Sequence, residues 1–176
     1  MKLKPTKEGP PERRLGTFSQ RELDELRVGV SVRVYPTESP EAVRRAVLAV
    51  VDAPLLELEP GNEFDLLTAR NLNIMSLTRA FNSSNLHSIK ILRALARRQK
   101  SGSDVLLYFN KQAATVGRVA VCSEPAESPL GPITVSVRGS TDLFLEWLDG
   151  FLREGYAQDE PVPSRRYRRE ALEDSD

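Results

Sequence analysis

A chain of 176 residues is long enough for one domain with a proper core, and its 25 Lys and Arg balance its 25 Asp and Glu. That balance excludes a global field drawing in nucleic acid or membrane, so any basic binding surface must be local. One cysteine and one histidine exclude an internal disulfide and argue against a zinc cluster, and no run approaches the ~20 apolar residues of a membrane span.

The first 17 residues are charged and rich in Pro and Gly, and their start lacks the apolar core of a signal peptide. A cytoplasmic protein is expected. Residues 1–27 read as a flexible extension with one short helix at 20–26, opened by a Ser19/Glu22 capping box and a Phe18/Leu23 staple. Strict alternation of Val28, Val30, Val32 and Val34 with Gly29, Ser31 and Arg33 predicts a half-buried strand. Ser39 as N-cap and Pro40 at the first position then open an amphipathic helix carrying Val43, Ala46, Val47, Val50 and Val51.

Residues 55–59 and 63–71 read as a strand pair closed by Pro60-Gly61-Asn62. Residues 74–81 are helical in pattern, and Asn82-Ser83-Ser84-Asn85 interrupts them by competing for backbone hydrogen bonds. A second helix covers 86–99, and a strand covers 104–109. The polar segment from Asn110 reads as an exposed turn leading to a fifth strand at 115–122. A Pro- and Glu-containing loop at 124–132 precedes a sixth strand at 133–137. Ser140 caps a last helix with Leu143, Phe144, Trp147, Leu148, Phe151 and Leu152 as its stripe and Gly155 as its stop. Residues 156–176 read as a disordered polar tail.

Consecutive strands joined by short turns imply one α+β domain over 28–155. It is a two-layer sandwich with a largely antiparallel sheet of about six strands and helices on one face.

On the helix over 86–99, Ile89, Ile91, Leu92, Leu95 and Ala96 fill one half of the wheel. Lys90, Arg93, Arg97 and Lys100 form a stripe beside it with no acid between them, able to track a phosphate backbone. A solvated helix face is the plain alternative. Lys111 and Gln112 in the turn, flanked by Asn110, can cradle an anion, and Arg118 on the strand after it extends the basic surface. Tyr108 is placed either to stack a base or to pack in its strand. Arg165-Arg166-Tyr167-Arg168-Arg169 is a basic cluster offset by the acidic end that follows. His87 has no partner residues of catalytic type near it in sequence, and Cys122 sits in an apolar run typical of core packing. No phosphate-loop, zinc-protease or nucleophile-elbow pattern occurs. No catalytic residue, metal or cofactor is expected.

Three segments, Val32-Arg33-Val34-Tyr35-Pro36-Thr37-Glu38, Asn110 through Val119, and Pro129-Leu130-Gly131-Pro132-Ile133, resemble a small family of uncharacterised archaeal proteins. The resemblance covers residues 28–152. It implies a fold similar to ribosomal protein L-five and a predicted RNA-binding role, with ribosomal or exosome-associated RNA as partner. One departure stands out: where that family carries an arginine-rich segment, this chain reads Phe81-Asn82-Ser83-Ser84-Asn85-Leu86-His87-Ser88-Ile89. Arg97 and Arg98 offer compensation further along. The expectation is a non-enzymatic protein contacting the RNA backbone. A homodimer without nucleic acid is the second reading, and an enzyme on a small phosphorylated ligand the third.

Overall fold

A computed structural model describes residues 18–99, 102 and 104–158. Lys100 and the basic cluster at 165–169 lie outside the described residues. The chain begins with α1 (Gln20–Asp24), whose capping box is formed: Ser19 Oγ accepts from Glu22 N, and Ser19 N donates to the Glu22 carboxylate. Leu26 follows it, fully buried. Strand β1 (Arg27–Val34) buries all four valines and leaves the alternate residues half-buried or exposed. Helix α2 (Pro40–Val50) starts at Ser39, whose Oγ accepts from Ala42 N.

Strands β2 (Glu57–Glu59) and β3 (Asp65–Asn73) pair antiparallel as the hairpin expected from sequence. A 3-10 turn and α3 (Thr78–Ser83) follow, then a break at Ser84, which is extended. Asn85 caps α4 (Leu86–Arg98) by accepting from Ser88 N. Then come β4 (Val105–Phe109), α5 (Lys111–Thr115), β5 (Val121–Cys122), β6 (Ile133–Arg138) and α6 (Thr141–Gln158).

The six strands form one open sheet in the order β2-β3-β1-β6-β4-β5, with every neighbouring pair antiparallel. On one face Val30, Val32, Leu67, Val135, Leu107 and Phe109 join residues of α2, α4 and α6 in a single core. Phe81, Trp147 and Phe151 stack at its helical end, with ring centroids 4.8–5.5 Å apart. The opposite face carries Gly29, Ser31, Thr134 and Ser136 and bears no α-helix residue in its grooves.

Two expectations change. The segment after Asn110 is no exposed turn into a long strand: 111–115 is a helix and β5 has two residues. Asn110 caps this helix, accepting from Ala113 N at 2.9 Å. Gly117, at φ 78°, ends it: its N–H reaches Ala114 O, and Arg118 N reaches Ala113 O. That paired closure takes a left-handed residue, which suits glycine. Likewise, Gly155 does not stop the last helix, which continues to Gln158. Helix α6 gains its stability from the packed stripe on its buried side, enough to carry the helix through one glycine.

The short β5 leaves part of the β4 edge open, and α4 covers it. Gln99, at the C-cap, donates from Nε2 to Leu106 O (2.9 Å) and accepts from Leu106 N (2.8 Å). Its amide stands in for a missing strand partner.

Candidate nucleic-acid interface

The three described residues of the α4 stripe do lie together. Lys90, Arg93 and Arg97 line a shallow cleft between α4 and α6, joined there by Arg153, Leu152 and Asp149. Lys90 and Arg97 are exposed. Arg93 Nη2 donates to Asp149 Oδ2 at 3.2 Å, while its Nε lies 2.6 Å from Oδ1, off the line of its N–H, so that contact is ionic. Four basic residues and one carboxylate thus line the cleft, with Arg93 paired to that carboxylate. Arg153 was not singled out from sequence, because only the packing of α6 on α4 brings it there.

Gln112 and Arg118 are exposed but do not line this cleft. Arg118 sits in the loop before β5 rather than on a strand.

Lys111 is the clear correction. Its side chain is fully buried, so it cannot meet a phosphate. Its Nζ donates to Glu38 Oε2 (2.8 Å), Arg33 O (2.9 Å) and Leu130 O (2.8 Å), which satisfies all three of its hydrogens. The Tyr35 ring lies 5.5 Å away. Glu38 also accepts from Tyr35 N, and Lys111 N donates to Ser128 Oγ. Leu130 has φ 61°, a costly conformation for a branched residue, and its carbonyl is one of the two that the ammonium holds. The three segments that carried the resemblance therefore meet at one atom. What read as an anion cradle is a fold staple.

Cys122 is buried, and its thiol is raised from 9.0 to about 11, first by burial and then by the Glu127 carboxylate. It is a poor nucleophile there. His87 is exposed. Among the described residues no cluster of His, Cys, Asp and Glu could hold a metal. No described helix is long and apolar enough to cross a membrane.

The face of the sheet away from the α-helices holds a second basic group. Arg27 and Arg138 stand directly opposite each other on β1 and β6, and Arg70 of β3 lines the same groove. Arg138 reaches Asp104 at 3.3 Å, and Arg70 lies 3.9 Å from Glu59. At the other end, Arg33 lies over the Phe64 ring at 4.7 Å.

The class this defines is an α+β domain with a six-stranded antiparallel open sheet and basic patches on two surfaces. A family model described as RNA binding matches residues 27–138, more than half of the chain. UPF0201 protein TK1335 of Thermococcus kodakarensis is 33% identical over 132 residues, covering 73% of this chain and 92% of that protein. UPF0201 protein MK0399 of Methanopyrus kandleri is 37% identical over 123 residues, covering 63% and 74%. The crystal structure of an uncharacterized UPF0201 protein superimposes with a TM-score of 0.51 at 30% identity, over 70% of this chain and 90% of the other. The UPF0201 protein from Methanococcus jannaschii gives 0.53 at 23% identity, over 72% and 98%, a likeness of fold alone. The chain belongs to this archaeal family, whose model carries the RNA-binding description.

Proposed function

We propose that the chain binds RNA through the phosphate–sugar backbone, without catalysing a reaction, and that the α4 edge is a contact surface. The observation that carries this is the cleft lined by Lys90, Arg93, Arg97 and Arg153 with Asp149 as the one carboxylate among its lining residues. α4 lies wholly within the span matched by the RNA-binding family model, which supports the same reading. Basic side chains set along a helix contact successive phosphates and carry no base preference of their own. The Arg93–Asp149 pair fixes the geometry of the cleft, and Lys90 and Arg97 are exposed along the same helix edge. The ribosomal-protein-L-five-like fold is carried into the same proposal, and it makes ribosomal RNA the first probe to try.

The test is fluorescence anisotropy of a labelled ribosomal RNA fragment against the wild type and Lys90→Ala/Arg97→Ala. The double variant should bind more weakly and lose about 1 unit of salt slope per residue removed. Equal affinity in both proteins at every salt concentration sinks the α4 edge as the contact. Light scattering on the same samples reads the homodimer alternative.

A further inference from the structure

We infer that the face of the sheet away from the α-helices is a second RNA-binding surface, a track for a single RNA strand with arginines at its rim and hydroxyls on its floor. This rests on the RNA-binding reading above and gives that function a second site.

Arg27 and Arg138 are the starting point. Two like charges directly opposite on adjacent antiparallel strands repel each other, and a sheet selected only for stability avoids them. Arg138 has Asp104 beside it, but the Arg27 guanidinium has no hydrogen bond or ion pair among the described residues. Arg70 lines the same groove from β3. Three guanidiniums therefore line the groove, against Asp104 beside Arg138 and Glu59 beside Arg70, and the excess positive charge at the rim complements a phosphodiester.

The floor fits the same ligand. Ser31, Thr68, Thr134 and Ser136 line this face, while Val30, Leu67 and Val135 of the same strands lie in the core. Thr68 is buried, and its Oγ1 has no hydrogen-bond partner. Gly29 keeps the floor low between Arg27 and Ser31: a Cβ there would come within 2.8 Å of Ser136 Oγ. Hydroxyl groups of this kind pair with phosphate oxygens and ribose 2′-hydroxyls.

Length and width select a single strand. Two grooves of 490 and 600 Å³ share Ser31, Leu66 and Thr134, so they run into one another. From Arg27 to Arg33 along β1 the track is roughly 20 Å at ~3.3 Å per residue. The floor spans four strands, about 14 Å, which suits one chain of nucleotides better than a duplex. At the far end Tyr108 is half-buried and lines the second groove across from Arg33 and Phe64, placed to stack a base.

The experiment uses the full chain and a fluorescein-labelled single-stranded RNA of about eight nucleotides, within the ~4–16 typical of such sites. Arg27→Ala/Arg138→Ala should weaken binding at least tenfold. Tyr108→Leu should weaken it about tenfold, and Tyr108→Phe should retain it. Ultraviolet crosslinking of the wild type should place an adduct on the β4 peptide, a readout that needs no variant. Full affinity in the arginine variant, with loss only in Lys90→Ala/Arg97→Ala, overturns the second surface and leaves the α4 reading standing. No binding of any RNA by the wild type overturns both. An arginine variant that turns a dimer into a monomer by light scattering makes the face a contact between copies, and overturns the proposal.

Discussion

Lys111 shows how one residue can look like a ligand-binding group and act as a structural one. Burying an ammonium is costly unless every donor is met, and here a carboxylate and two carbonyls meet all three. Lys111→Met should destabilise the fold by about 3–5 kcal/mol, because Glu38 is left without its partner. Urea denaturation measures this, and Lys111→Met/Glu38→Gln should recover part of the loss. A cost under about 1 kcal/mol for the single variant would show that the site admits water. Nothing around Lys111 in sequence signals burial: its neighbours Asn110 and Gln112 are polar, and its partners lie 73, 78 and 19 residues away. Cys122 supplies a pH test at the same scale. The folded state keeps the thiol proton to about 11, while the unfolded chain releases it near 9.0. Above ~pH 9 the unfolded chain holds fewer protons, so stability falls as pH rises toward about 11. Cys122→Ala should remove that part of the alkaline decline, seen by comparing denaturation curves at about pH 8 and about pH 10.5.

At the scale of elements, the helices and the central strands were legible because their signals are local. Ser19, Ser39 and Asn85 each cap the helix predicted after them, and the valine alternation of β1 matches its burial. The α4 stripe was readable for the same reason, as residues three and four apart share a helix edge. The segment 111–115 was misread, since a helix of five residues carries no periodicity; its cap and its left-handed Gly117 were the available signals. Strand pairing supplies a prediction that sequence could not reach. Arg27→Thr removes a like-charge pair across β1 and β6 and introduces a β-branched residue, so it should raise stability by roughly 0.2–1 kcal/mol. Thermal unfolding at low salt checks it. A destabilised variant would mean that Arg27 makes a supporting contact instead.

For the whole molecule, zero formal net charge means that the proposed RNA affinity must come from patches rather than from a field. Affinity should therefore collapse steeply with added salt while the fold keeps its stability, the two measured side by side in the same buffers. The chain by itself determined the α+β class, the antiparallel sheet, the capped starts of α1, α2 and α4, the α4 stripe and the resemblance to the family, because caps, periodicity and short connections act over a few residues. Tertiary structure alone decided that Lys111 is an internal staple, that Arg153 joins the α4 cleft, and that Arg27 and Arg138 face each other. Each of those depends on which elements become neighbours, and the strand order β2-β3-β1-β6-β4-β5 places residues far apart in the chain side by side.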